Sequence, residues 1–292
     1  MRESKGDEIV GGIVDLASDR TFEGIHSTAP MPLVPWVLGN LDLTRTRSVF
    51  DLGCGIGRFA LPVASLIAPN DGEVHGIDLD PRAVEEFNRR AHNAGLRAEA
   101  TQGNILAKAA IPNARFDMVM LNFVLHTLSF PRIKQFLGTV SALVAPDGQL
   151  LVTAYGENHI SEPTTWLTEA LISAGLNQPE ARRVTRQLDR PRRFSIDDGT
   201  RLLRRHFDHL EFTQFRDVFE LSPYDLEDMV GPRLLHAPRL SPHLPDGVDP
   251  RNVAATFREI MASHSNNGHV ELNADIAMFV ARSPRRGPWP WI

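Results

Sequence analysis

The sequence predicts an α/β fold, a doubly wound and mostly parallel sheet, and three observations carry that prediction. Between residues 48 and 155, short β-rich runs alternate with helical periodicities. A glycine-rich turn, Gly53-Cys54-Gly55-Ile56-Gly57, separates the first run from the first helix. An acid stands at the end of each of the first two runs, Asp51 and then Asp78.

Composition narrows the classes further. The 292 residues carry 31 Lys and Arg against 36 Asp and Glu, a formal net charge of −5, which excludes a generally basic protein that coats nucleic acid. With 42% apolar and 23% charged residues, the chain is long enough to bury a sizeable core and is not intrinsically disordered. At roughly 150 residues per domain, the length suits one α/β domain with a substantial insertion. The single cysteine, Cys54, forms no intrachain disulfide, and no Cys/His spacing marks a metal site, so a reducing, cytoplasmic setting is expected. No window approaches the roughly 18 uninterrupted apolar residues of a membrane span.

The elements are predicted in order as follows. Residues 1–44 form an N-terminal arm, in which Pro30, Pro32 and Pro35 prevent a continuous helix. Residues 45–156 form the core, with strands at 48–52, 73–78, 97–101, 116–122 and 149–155 and helices at 57–67, 81–93 and 131–143. Asp80-Pro81 reads as an N-cap with proline at the first helical position. Residues 157–194 are a helical insertion whose arginines 182, 183, 186, 190, 192 and 193 read as a solvated face. The core continues at 195–217, with Ser195 capping a helix to about His206 and a strand at 211–215. Residues 218–272 form a second insertion with helices near 225–230 and 250–264, expected to act as a lid together with the N-terminal arm and residues 157–194. The last core strand lies within 273–282, and 283–292 is a tail carrying Trp289 and Trp291.

Glycines in the turn let the backbone bend sharply and approach a ligand closely, and Asp78 can accept both hydroxyls of a ribose. Gly55-Ile56-Gly57-Arg58-Phe59-Ala60 formally satisfies a dinucleotide fingerprint. That register would extend the first strand to Cys54 and bury an unpaired Asp51 inside a central strand, at a cost of several kcal/mol. A turn starting at Leu52 instead leaves Asp51 at the strand end, able to face a cationic group.

Val49 to Ala60 resembles motif I of the class I S-adenosylmethionine-dependent methyltransferases, and the match continues downstream. Val74-His75-Gly76-Ile77-Asp78 resembles the ribose-binding strand end, and Thr101-Gln102-Gly103-Asn104-Ile105 the adenine turn, with Asn104 where the family carries Asp. Residues 116–126 resemble motif IV, and 143–152 the segment into strand five. The remainder is similar in outline to the small-molecule members, resembling the UbiE/type 11 group. The resemblance implies a Rossmann-like sheet of seven strands, order 3-2-1-4-5-7-6 with strand 7 antiparallel, carrying helical lid insertions.

The resemblance also implies S-adenosyl-L-methionine as cofactor. Asp51 and the loop Gly53, Cys54, Gly55 and Gly57 would serve the methionyl end, Asp78 and Leu79 the ribose side, Asn104 and Ile105 the adenine, with Asn122 alongside. Chemistry in such sheets sits beyond the carboxyl ends of the strands. The candidates there are Asn122, His126, Tyr155, Glu157, Asn158, His159, Arg216 and Asp217, of which Tyr155, His126 and His159 are chosen as catalytic.

The implied reaction is in-line methyl transfer to O, N or C of a small, metabolic acceptor. Nucleic acid is disfavoured as acceptor, because Asn122-Phe123-Val124-Leu125 lacks the Asn/Asp-Pro-Pro-aromatic motif of base N-methyltransferases. Aminocarboxypropyl transfer, cyclisation and a catalytically silent binding subunit are the remaining alternatives.

Overall fold

The computed structural model describes residues 26–156, 158–188 and 196–285, and its strands join in one sheet. They are β1 (His26–Ser27), β2 (Ser48–Leu52), β3 (Glu73–Asp78), β4 (Ala98–Gln102), β5 (Phe116–Asn122), β6 (Val144–Tyr155), β7 (Phe207–Leu221) and β8 (Val270–Pro284). The spatial order is β1-β7-β8-β6-β5-β2-β3-β4, so the seven core strands run 3-2-1-4-5-7-6 as expected. The last core strand, β8, is antiparallel to both neighbours. The eighth strand, β1, is an addition the sequence did not predict: it pairs antiparallel with β7 at the sheet edge.

Buried parallel strands read as nearly continuous apolar runs because both faces are covered. On one face, α1 (Leu33–Gly39), α2 (Ala60–Ile67) and α3 (Pro81–Asn93) pack over Val49, Met118, Met120, Leu151 and Met278. On the other, α4 (Phe130–Leu143) and, further on, α7 (Ile196–Leu203) pack over Phe50, Val119, Leu121, Leu150 and Phe279. Asp80 caps α3 by accepting the Arg82 N–H at 2.9 Å, as the Asp80-Pro81 pair predicts. Helix α1 forms despite Pro35, because a proline in the first turn removes an N–H that has no intrahelical partner there.

The antiparallel strands are longer than the periodicity indicates. The ladder pairs Phe207 with Pro284 at one end and Leu221 with Val270 at the other. Tyr155, the last residue of β6, lies opposite Ile276, so the β7–β8 ribbon runs on from Ile276 to Val270, about 20 Å past the carboxyl edge of the sheet. Helices α5 (Glu162–Ser173), α6 (Gln178–Leu188), α8 (Pro223–Leu234), α9 (Ala237–Leu240) and α10 (Pro250–Ser263) gather on that ribbon. Their shared core joins Trp166, Leu167, Leu171, Leu226, Leu234 and Phe257 to Leu221 and Leu272 at the ribbon tip. Ser195, Glu157, the arginines at 190, 192 and 193, Trp289 and Trp291 lie outside the described residues.

Candidate active site

The turn begins after Leu52, but Asp51 is a paired residue of β2, in register with Gly76 and Met120, and is buried there rather than standing free at the strand end as expected. Gly53, Gly55 and Gly57 have φ values of +82°, +52° and +86°, in the left-handed region that favours glycine. Gly53 and Cys54 N–H groups both donate to the Ile77 carbonyl, at 2.8 and 3.1 Å, which ties the turn to the end of β3. A Cβ at Gly53 would lie 2.5 Å from Val124 Cγ2, so the backbone passes directly under the segment that follows β5.

Asp78 closes the other side of this turn. Its Oδ2 accepts the Gly55 N–H at 2.8 Å and its Oδ1 the Asp80 N–H at 3.0 Å. A carboxylate offers about four lone-pair sites, so acceptor capacity remains for a ligand hydroxyl. Leu79, the next residue, is 68% exposed, an apolar side chain left in solvent beside that carboxylate. Asn104 closes a local turn by accepting the Leu106 N–H at 2.9 Å, and Ile105 packs against the sheet core.

Asp51 is 2% exposed, and its Oδ1 has no hydrogen-bond partner. Burial, followed by the negative charge of Asp78, pushes its carboxyl up to about 8. A buried acid without a countercharge is costly. The arrangement fits a ligand that brings a cationic group to the strand end. Cys54 points the opposite way: its Sγ would sit 2.7 Å from a Cβ at Gly76, under β3, and burial followed by Asp51 and Asp78 raises its thiol. Its N–H is taken by the Ile77 carbonyl, and its carbonyl accepts the Gly57 N–H at 3.0 Å.

Strands β5 and β6 deliver the rest. Asn122 is buried at the end of β5, with Oδ1 accepting the Thr153 hydroxyl at 3.0 Å and Nδ2 without a partner. Phe123 then adopts φ +54°, an uncommon conformation for a bulky residue, while its N–H donates to the Thr153 carbonyl at 3.0 Å. The three chosen catalytic side chains meet one another. Tyr155 lies 5.0 Å from the His126 ring and stacks on His159 at 4.5 Å, and the Phe123 ring lies 4.9 Å from it.

Asp217 is a correction to the candidate set. Although it lies near the end of β7, it is buried, and its carboxylate accepts from Ser27 Oγ at 2.5 Å, Ala29 N–H at 2.7 Å and Val218 N–H at 2.7 Å. Those donors belong to the arm and to β7 itself, so Asp217 is an anchor for the arm rather than a proton acceptor. Arg216 lies exposed on the strand and donates to Gln214. Thr153, the partner of Asn122, and the left-handed Phe123 were missed by sequence reasoning. Thr153 looks like any strand residue, and no local pattern announces a non-glycine residue at positive φ.

Residues 49–148 match the family model described as a methyltransferase domain. Over those residues the chain is similar to methyltransferase domains, a family that uses S-adenosyl-L-methionine.

Among curated proteins, the chain is similar to the ribosomal protein L11 methyltransferase of Dechloromonas aromatica, 31% identical over 140 residues, which is 48% of this chain and 42% of that protein. The enzyme of the same name from Thermus thermophilus is 28% identical over 134 residues, 45% of this chain and 46% of that protein. The chain thus spans less than half the length of these relatives. Among solved structures, a putative methyltransferase from Bacillus halodurans superposes with a TM-score of 0.54 at 15% identity, over 87% of this chain and 99% of that one. The YcgJ protein from Bacillus subtilis gives 0.50 at 16%, over 96% and 99%. At such identities the likeness is one of fold. Among the described residues no helix is long and apolar enough to cross a membrane, and no His/Cys/Asp/Glu group could hold a metal ion.

Proposed function

We propose that the protein transfers the methyl group of S-adenosyl-L-methionine to a small-molecule acceptor bound between the carboxyl edge of the sheet and the helices on the β7–β8 ribbon. The observation that carries this reading is the buried Asp51 carboxyl, its Oδ1 unpartnered, under a loop of left-handed glycines in a methyltransferase domain. In this reading the ligand's amino group faces Asp51, the loop at Gly53, Cys54, Gly55 and Gly57 lies along its methionyl end, and Asp78 takes the ribose hydroxyls. Leu79, Asn104 and Ile105 would border the adenine, and Asn122 Nδ2 supplies a donor beside the transferred group.

When bound, the cofactor supplies an electrophilic methyl on a sulfonium, so the protein needs no oxyanion hole. Its task is to hold a nucleophile about 3 to 3.5 Å from that carbon and to exclude water. The ribbon helices and the arm held by Asp217 suit the second requirement. A base is needed only when the nucleophile arrives protonated. His126 and His159, flanking Tyr155, are the imidazoles at hand for that role.

The names of the curated relatives favour a second reading, in which the acceptor is a polypeptide. Their similarity extends over less than half of this chain, and the ribbon-borne helices that would frame the acceptor favour an enclosed, small one. Calorimetry with S-adenosylmethionine, S-adenosylhomocysteine and NAD, on the wild type and Asp78→Ala, tests the cofactor assignment. Micromolar binding of the sulfonium ligand that is lost in the variant and absent for NAD is the expected result. Binding of NAD instead would overturn the assignment.

A further inference from the structure

The rings around the site form a continuous apolar wall on one face of the sheet. Phe215 and Tyr155 both pair with Ile276, so the three side chains stand in one row across β7, β8 and β6 on the same face. With strands about 4.8 Å apart, the row spans roughly 10 Å. Trp36 of α1 extends it beyond Phe215, with ring centroids 5.3 Å apart. Phe123 extends it the other way, touching Tyr155 at 4.9 Å and Phe59 at 6.0 Å. His126 and His159 border Tyr155, and Phe219 meets His159 edge-on at 6.5 Å.

No acid among the named wall residues is available to a cationic acceptor. Asp217, on the same face as Phe215, is engaged by the arm. Asp51 lies on the cofactor side, in the neighbourhood of Asp78.

Phe123 is the position where the backbone is strained to build this wall. Left-handed φ at a bulky residue is strained and persists where surrounding structure enforces it, often at ligand clamps. Here the enforcing contacts are the Phe123 N–H on the Thr153 carbonyl and Val124 wedged against Gly53. Their effect is to direct the Phe123 ring between Phe59 and Tyr155.

Resting on the methyltransferase reading above, we infer that the acceptor is a planar aromatic molecule, held flat against the Phe123–Tyr155 wall, and that Phe123 positions it. Offset ring contacts of this kind add a contribution beyond area burial. A saturated molecule of the same outline forgoes that contribution.

The test is equilibrium binding on the full chain saturated with S-adenosylhomocysteine. The probes are 2-naphthol, its saturated counterpart decahydro-2-naphthol and n-hexylamine, followed by calorimetry and by naphthol fluorescence. Naphthol is expected to bind at least fivefold more tightly than the other two. Phe123→Leu should weaken naphthol about tenfold, leave S-adenosylhomocysteine binding within twofold, and be rescued by Phe123→Tyr. Circular dichroism on each variant separates loss of binding from loss of fold. Equal binding of the saturated alcohol, tighter binding of the amine, or naphthol affinity unmoved in a folded Phe123→Leu would each overturn the aromatic assignment. Failure of the wild type to bind S-adenosylhomocysteine would instead strike the methyltransferase reading, which makes the two failures distinguishable.

Discussion

Replacing Asp51 by Asn should remove most of the pH dependence of the ligand-free protein's stability between pH 5 and 8. The carboxyl ordinarily titrates near 3.8, and burial followed by the charge of Asp78 raises it to about 8 in the fold. Below about pH 4 both folded and unfolded chains hold the proton. As pH rises, the unfolded chain releases it first while the folded chain keeps it, so stability falls by a factor of ten in the equilibrium constant per unit. The decline levels off above about 8, where both states are ionised.

Between pH 5 and 8 the full effect of Asp51 is about 4 kcal/mol, and relaxation around the charge brings the expected value to roughly 2 to 4 kcal/mol. Asn brings amide donors that need partners, a cost of about 1 to 3 kcal/mol that does not vary with pH. Urea titrations at pH 5, 6, 7 and 8 on both proteins therefore read the slope, not the offset. The same carboxyl should release close to one proton at pH 7 when a ligand amine arrives, measured by calorimetry in buffers of differing ionisation enthalpy. Equal pH slopes for wild type and Asp51→Asn, with no difference in proton release, would refute the reasoning.

Other substitutions probe neighbouring features. Gly53→Ala puts a Cβ 2.5 Å from Val124 Cγ2 at φ +82°, and should cost about 2 to 4 kcal/mol in urea unfolding. Gly55→Ala, at φ +52° with nothing within 4 Å, should cost only about 1 kcal/mol. Asp217→Ala leaves the Ala29 N–H and the Ser27 hydroxyl without their acceptor, so limited proteolysis between residues 28 and 32 should accelerate at least fivefold; unchanged cleavage would show that the arm is held elsewhere. Leu79→Ser, at a 68% exposed position, should leave stability within about 0.5 kcal/mol while S-adenosylhomocysteine binding weakens severalfold; unchanged binding would remove Leu79 from the site.

The parallel half of the fold was legible because its signals are local. Alternation, the Asp80 cap and the glycine turn each depend on residues close in the chain, and β2, β3 and β5 fall where the periodicity puts them. The ribbon was less so: only the central parts of β7 and β8 read as strands, and the far end at Leu221, Val270 and Leu272 packs on the ribbon helices rather than in the sheet core. For the candidate site, the residue types at Asp51, Asp78, Asn122 and Tyr155 could be picked out, but not how each is satisfied. Asp217 shows the difference, because its donors lie about 190 positions away on the arm.

The order of the core strands was implied by the family resemblance, whereas the sequence by itself determined the class of fold and the glycine turn with its two acids. Those features follow from chemistry that acts over a few residues: backbone freedom at glycine, the period of a strand, the cap of a helix. Only the tertiary structure decided that Asp51 would be buried with its Oδ1 unpartnered, that Asp217 would anchor the arm, and that Phe123, Tyr155, Ile276 and Phe215 would stand on one face. These outcomes depend on strand register and on desolvation by distant segments. Both are set when strands far apart in the chain pair, and a one-residue change in that pairing would turn each side chain to the opposite face.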